Sequence, residues 1–293
     1  MIKRLILVLG LFFVGCTASH QNFSKPFPNL PEPDFLFDSG EAKSEKAKSL
    51  LPLPSASVWL NEQLALPLNA LTSDKSIFQS YQSKTRSTWN DNWLSRFDFS
   101  GVAWDGKRAG TLITRQHILF AKHYPRAKGS VVTFVDRNGD PAQRRVIKTA
   151  KYPGSSCDVA VGLLDTPVPS TVCYYPLLPS GYDWSLALRG AQLLVTDQQR
   201  KALFFGVSFV LDDGHMGSPE SLSAYGNLGI PTALRERLVP GDSGHPSFLV
   251  FPGNQLVLVS TSHHGGLGMR GPFLGGDRVQ HWIKAVLAGH YLQ

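Results

Sequence analysis

The sequence has few charged residues and few cysteines, and it has no long run of like-charged residues. Charged residues make up 17% and hydrophobic residues 42%, a balance that excludes a disordered chain and indicates a globular one. Three cysteines permit at most one intramolecular disulfide. The densest basic stretch, RRVIKTAK at 144–151, is typical of a solvated strand face, so the formal charge of +7 does not indicate nucleic-acid binding. No internal repeat of the length found in solenoids and propellers is present.

The N-terminus is typical of a bacterial export signal. The stretch MIKRLILVLGLFFVGC places Lys3 and Arg4 before an apolar run from Leu5 to Val14, which is too short for a transmembrane helix and predicts a signal peptide over residues 1–15. Its end resembles a lipobox, which implies lipidation of Cys16; a plain secretory signal is the alternative. We therefore expect an exported cell-envelope lipoprotein of the periplasm or outer membrane, held to the membrane through Cys16, or else a secreted protein.

Composition divides the rest of the chain into three parts. Residues 16–50 are rich in Pro, Ser, Lys and Glu and are interpreted as a flexible tether. Residues 51–95 are apolar but interrupted by prolines; this segment is either an N-terminal extension that wraps the domain or a propiece. Residues 96–293 form the predicted domain.

That domain consists of short β-type runs separated by turn signals such as DG, NGD and PG. Examples are GTLITRQHILFA, GSVVTFVD, DVAVGLLD, ALFFGVSFVL and QLVLVSTS. Many short strands at this spacing predict an all-β sandwich or barrel. Only the tail DRVQHWIKAVLAG has apolar residues at helical spacing, and Gly289 would end that helix.

Three segments carry residues suited to nucleophilic catalysis. An apolar strand ends in Ala121-Lys122-His123, Asp158 stands at the start of DVAVGLL, and Ser243 lies in VPGDSGHPSF. A serine hydroxyl needs a base to remove its proton, histidine titrates in the right range, and a carboxylate fixes the imidazole. In the order His, Asp, Ser, these segments resemble the signatures of the chymotrypsin-like (trypsin-like) serine peptidases, over about residues 97–290.

The resemblance implies a fold, a reaction and further site residues. It implies two six-stranded β-barrels of chymotrypsin type with a C-terminal α-helix, and a serine endopeptidase that acts on a protein or peptide substrate. The oxyanion donors would be the backbone N–H groups of Gly241 and Ser243. Asp242 would be a supporting residue beside the serine, and Ser260 would support Asp158, with an unrelated strand serine as the alternative. No cofactor and no metal are implied, and we expect a monomer.

Several alternatives compete with these assignments. His117 competes with His123 but lies inside a strand, and the rival carboxylates belong to turns or strand ends: Asp136, Asp140 and Asp165. His263-His264 could suggest a metal, but adjacent strand histidines point apart and no third ligand follows at metal-site spacing. Cys157 and Cys173 are either a disulfide, as in many exported proteins, or two buried free thiols.

The sequence also departs from the family pattern. His245 replaces the usual glycine, and no Ile-Val-Gly-Gly precedes the domain to supply an ammonium partner for Asp242. We therefore predict that Asp242 has another partner, either a basic side chain or backbone donors, and that the site forms without an inserted N-terminus. Activation by cleavage within 51–96 is the alternative. The position near Arg237, at the base of the expected specificity pocket, disfavours a preference for Lys or Arg.

Two other functional classes remain open from the sequence. A catalytically silent peptidase scaffold that serves as a binding lipoprotein is the main alternative, although all three triad residues are present. An esterase on an α/β fold is disfavoured because Ser243 does not lie in a GxSxG motif and no βαβ alternation is found.

Overall fold

Short antiparallel strands make up most of the regular structure in the computed structural model. The structure describes Leu68 and residues 71–155, 157–211, 214–218, 229–262 and 270–293. The predicted signal peptide, the lipidation site Cys16, the tether, most of residues 51–70 and the pair His263-His264 lie outside the described residues.

The strands follow one another along the chain with few helical interruptions. In chain order they are β1 (Phe78–Ser80), β2 (Thr88–Trp89), β3 (Thr111–Leu112), β4 (His117–Phe120), β5 (Val131–Val135), β6 (Pro141–Lys151), β7 (Ala160–Leu164), β8 (Gln192–Thr196), β9 (Ala202–Gly206), β10 (Phe209–Val210), β11 (His215–Gly217), β12 (Pro246–Phe251), β13 (Gln255–Thr261) and β14 (Arg270–Pro272). The helices are α1 (Trp184–Ala187), α2 (Asp277–Leu287) and the 3₁₀ segments Trp93–Arg96, Thr232–Leu234 and Pro252–Asn254.

The first sheet has the order β3-β4-β7-β6-β5, and all its pairs are antiparallel. The first half of β6 pairs with β5 and the second half with β7. A register shift between Val146 and Lys148 interrupts the ladder at the changeover, and such bulges bend a strand. The sheet therefore curls around an apolar core. That core includes Leu112, Ile118, Phe120, Val132, Phe134, Val146, Ala160 and Leu164.

The second sheet has the order β13-β12-β8-β9 and is also antiparallel. Every residue of β12 (PSFLVF) is buried, which explains why this strand shows no alternation of apolar and polar residues. A third sheet, β10-β11-β14, meets the second through a bridge between Ser260 and Phe273. The predicted all-β class is confirmed. The described sheets have five, four, three and two strands, so six strands in each barrel stays a prediction.

The part of segment 51–95 that is described is built into the domain. β1 and β2 form a small hairpin, and Ser76 makes an antiparallel bridge with Lys201 beside β9. The N–H of Ile77 donates to the carbonyl of Arg200 at 2.9 Å, and Ile77 is buried. This segment therefore packs as part of the domain from residue 74 onward.

The predicted C-terminal helix is confirmed as α2. Its buried face carries Val279, Trp282, Ile283 and Val286, and Gly289 follows with φ of 91°, a conformation that glycine adopts at little cost. Within the residues that the structure describes, none of the helices has both the length and the apolar character to cross a bilayer.

Of the two alternatives that the sequence left open for Cys157 and Cys173, the thiol form is present, since the two are not joined in a disulfide. The Cys173 thiol instead donates to the carbonyl of Asp98 at 3.6 Å. Burial raises its pKa to about 12.

Candidate active site

The side chains of His123, Asp158 and Ser243 lie together in the structure. His123 Nδ1 is 2.5 Å from Asp158 Oδ2, and His123 Nε2 is 3.0 Å from Ser243 Oγ. The imidazole thus stands between the carboxylate and the hydroxyl, with one ring nitrogen facing each. The His123 side chain is 49% exposed and that of Asp158 is 15% exposed, so the imidazole is accessible to solvent while the carboxylate is largely shielded.

Strand pairing explains how a histidine and an aspartate distant in sequence become neighbours. His123 comes shortly after the end of β4, and Asp158 comes shortly before the start of β7. The two strands are antiparallel, with Phe120 opposite Ala160, so the end of one lies beside the start of the other. The pairing of β4 with β7 in the first sheet thereby brings His123 and Asp158 together.

The aspartate holds the histidine at two points. Asp158 Oδ1 accepts the backbone N–H of His123 at 2.8 Å, while Oδ2 faces Nδ1 of the ring. Two contacts from one carboxylate restrict both the position of the histidine backbone and the rotation of its ring. A ring held in this way presents Nε2 to Ser243 and favours the tautomer that carries its proton on Nδ1.

The loop that carries Ser243 leaves two backbone donors available. The N–H groups of Asp242, Gly244 and His245 donate to backbone carbonyls. In contrast, the N–H groups of Gly241 and Ser243 have no protein acceptor among the described residues. Gly241 has φ of 109°, a conformation that residues with a side chain rarely adopt. The two predicted oxyanion donors are thus the ones that the loop leaves unpaired.

The partner of Asp242 is the backbone. This buried carboxylate accepts the N–H of Gln198 on Oδ1 at 3.0 Å and the N–H of Val239 on Oδ2 at 2.6 Å. Of the two kinds of partner that the sequence left open, backbone donors are the ones present here. A carboxylate bonded in this way needs no ammonium group beside it.

The loop of residues 239–244, which carries Ser243, is called the nucleophile loop below. His245 directly follows it and is buried, with 1% of its surface exposed. Its Nδ1 is 3.1 Å from the hydroxyl of Thr196 in β8. Burial, together with the charges of Arg126 and Arg200, lowers the pKa of His245 to about 3. This histidine is therefore neutral over the physiological range and fills the space between the loop and the second sheet.

Ser260 does not support Asp158, contrary to the prediction. Its side chain is fully buried, and its hydroxyl donates to the carbonyl of Thr261 at 3.4 Å. The side chain faces β14, because a Cβ added to Gly271 would stand 2.4 Å from Ser260 Oγ. Both faces of β13 are buried, so its sequence does not alternate between apolar and polar residues. The sequence therefore does not indicate which way this serine points.

The rival residues lie elsewhere and have structural partners. His117 Nδ1 is 2.8 Å from the hydroxyl of Thr114, and burial lowers its pKa. Asp136 accepts backbone N–H groups of its own turn, and Asp165 accepts the N–H of Arg145 at 3.1 Å. Arg237 is exposed. Within the part of the chain that the structure describes, no group of three His, Cys, Asp or Glu side chains is arranged to hold a metal ion.

Comparison with known proteins adds no assignment. No protein-family model matches the chain, and no curated protein matches it either. The chemistry of the site therefore has to be argued from its own geometry. A hydroxyl, an imidazole and a carboxylate in a row, beside two unpaired N–H groups, are the parts needed for acyl transfer to serine.

Proposed function

We propose that this protein is a serine endopeptidase, and the observation that carries the proposal is the pair of distances on His123. The 3.0 Å separation from Ser243 Oγ allows proton transfer to Nε2, and the 2.5 Å separation from Asp158 allows the resulting imidazolium to be stabilised. The rivals His117, Asp136 and Asp165 are bonded to other groups.

In the proposed reaction Ser243 Oγ attacks the carbonyl carbon of a peptide bond, and its proton passes to His123 Nε2. The carbonyl oxygen becomes an oxyanion, which the N–H groups of Gly241 and Ser243 bind. The C–N bond then breaks, the imidazolium gives its proton to the leaving amine, and an acyl ester remains on Ser243. Water, activated by the same histidine, hydrolyses that ester. Loss of one oxyanion donor in such a site costs about 10²- to 10³-fold in rate.

The architecture that suits this reaction is the chymotrypsin type, with two six-stranded barrels and the triad in the cleft between them. Support comes from the origin of the residues: His123 and Asp158 flank strands of the first sheet, and Ser243 precedes β12 of the second. We further propose that residues 1–15 are a signal peptide and that the domain is a monomer at the cell envelope. A lipid on Cys16 would hold it to the membrane, where it would act on proteins or peptides.

A fluorophosphonate probe tests the reaction, because it reacts with an activated serine and reports the modified residue by mass spectrometry. We expect the wild-type chain to be labelled on Ser243 and the Ser243→Ala variant to lose labelling completely. Ser130→Ala is the matched control, since the Ser130 hydroxyl has no partner among the described residues. This control should label at the wild-type rate.

Two results would contradict the proposal. Absence of labelling in a folded, fully processed wild-type protein would indicate the catalytically silent binding lipoprotein instead. Labelling on a serine other than Ser243 would show that the site is misassigned. If Ser243 is labelled, turnover of a peptide library compared with turnover of simple esters separates a peptidase from an esterase.

A further inference from the structure

Gln198, in the turn between β8 and β9, contacts the nucleophile loop through both its backbone and its side chain. Its backbone N–H donates to Asp242 Oδ1 at 3.0 Å, and its side-chain amide donates to the carbonyl of Pro240 at 3.0 Å. These two acceptors stand on either side of Gly241. Gln198 thus holds the loop before and after the first of the two unpaired N–H groups.

The Gln198 side chain also occupies the space next to Gly241. A Cβ added to Gly241 would lie 2.6 Å from Gln198 Oε1 and 2.9 Å from its Cδ. The carboxamide therefore packs against the Cα of Gly241, and the position tolerates neither a larger residue there nor a displacement of the loop toward the turn. The two hydrogen bonds hold the loop at Pro240 and Asp242, and this packing contact holds it at Gly241.

The turn that carries Gln198 is itself held firmly. The N–H of Lys201 donates to Asp197 Oδ1 at 2.9 Å, and the backbones of Asp197 and Lys201 pair. At the start of β9, the N–H of Ala202 donates to the carbonyl of Lys75 at 2.9 Å. The N-terminal segment therefore also holds the end of this turn.

From these contacts we infer that Gln198 is a positioning residue for the oxyanion donors Gly241 and Ser243; this inference rests on the proposed function. Its hydrogen-bond partners in this loop are Pro240 and Asp242, not Ser243 or His123, so it acts through the loop and not on the reacting atoms. A substitution of Gln198 removes the hydrogen bond from its side-chain amide to Pro240. The bond from its backbone N–H to Asp242 survives a change of side chain.

The test compares Gln198→Ala and Gln198→Met with Gln199→Ala in the full chain. Methionine keeps most of the side-chain volume but cannot donate to Pro240, which separates the hydrogen bond from packing. Gln199 is the next residue of the same turn and is exposed, so its variant is the matched control. Two readouts are used: the second-order rate of fluorophosphonate labelling against pH, and amide hydrogen exchange of residues 239–245 by mass spectrometry.

We expect both Gln198 variants to label about 10- to 100-fold more slowly, which is part of the loss that removal of one oxyanion donor causes. The pH profile of labelling should keep its wild-type midpoint, whereas a general loss of structure would shift it. Exchange in 239–245 should rise in the Gln198 variants and stay at the wild-type level in Gln199→Ala.

Hydrogen exchange decides the inference even if the chain proves inactive. Labelling and exchange equal to those of Gln199→Ala would overturn the role of Gln198 while leaving the peptidase proposal intact. An unlabelled wild type would overturn the peptidase proposal, and with it the role of Gln198 in positioning oxyanion donors. In that case, raised exchange of residues 239–245 in the Gln198 variants would still show that Gln198 holds the loop. Unchanged exchange would refute that structural role as well.

Discussion

Replacement of His245 by asparagine should change how the stability of the protein responds to acid. His245 is 1% exposed, and burial, with the charges of Arg126 and Arg200, lowers its pKa from 6.5 to about 3. In the unfolded chain the same side chain takes up a proton near its ordinary pKa. Between these two values the unfolded state binds more protons, so acid favours unfolding.

The size of this effect follows from the shift. The stability that neutral His245 preserves is fully present above pH 6.5 and is lost as the pH falls toward 3. Each pH unit within that window corresponds to about 1.4 kcal/mol, which gives on the order of 5 kcal/mol over the whole window. Asparagine does not titrate, so the His245→Asn variant lacks this part of the pH dependence of the free energy of unfolding.

A second buried group acts in the opposite direction and must be separated from it. Burial raises the pKa of Asp197 from 3.8 to about 6, so its folded state holds a proton that the unfolded state has released. Its contribution is present below pH 3.8 and is lost as the pH rises through 6. Between pH 4 and 6 the two slopes oppose each other, and the wild-type curve alone is uninformative there.

The informative quantity is therefore the difference between wild type and His245→Asn in the free energy of unfolding. Urea unfolding at half-unit steps from pH 4 to pH 8 supplies it. We expect the difference to fall by about 1.4 kcal/mol per unit below pH 6.5 and to be constant above pH 7. His290→Asn, at an exposed position, should show a much flatter difference. A flat difference for His245→Asn would refute the assignment of a neutral buried imidazole behind the nucleophile.

Two further predictions concern the aspartate and the thiols. Asp158→Asn should leave the chain folded and lower the rate of fluorophosphonate labelling by about 10³- to 10⁴-fold, because the amide favours the wrong imidazole tautomer; a loss below tenfold would contradict the role of the carboxylate. Cys157 and Cys173 should resist iodoacetamide at pH 8 in the native state, since burial raises the pKa of Cys173 to about 12 and Cys157 is 1% exposed. Both should react after denaturation without reductant, and a mass two hydrogens lower for their peptides would instead reveal a disulfide.

The parts of the fold that the sequence predicts are those set by local patterns. The β-rich class follows from short apolar runs between turns, and α2 follows from the spacing of Val279, Trp282, Ile283 and Val286. The position of His123 after one strand and Asp158 before another was also readable. Their contact needs the register of β4 against β7, which only the tertiary structure provides.

The parts that escaped prediction depend on contacts between distant segments. Gln198 is an ordinary turn residue in sequence, and only the docking of its turn on the nucleophile loop gives it a role. Ser260 was misassigned because a strand buried on both faces carries no alternation to orient its side chains. For the cysteines, count and compartment left a disulfide and two thiols open, and only the tertiary structure decides between them.

The surroundings of Asp242 explain how the nucleophile loop can form without an inserted N-terminal ammonium. Its two oxygens accept the N–H groups of Gln198 and Val239, and a hydrogen bond to a charged group contributes about 1.5–3 kcal/mol. These bonds exist as soon as β8, β9 and the loop have folded. The segment at Lys75 braces the same turn. A cut on its C-terminal side would therefore loosen the loop, so cleavage there is a poor mechanism of activation.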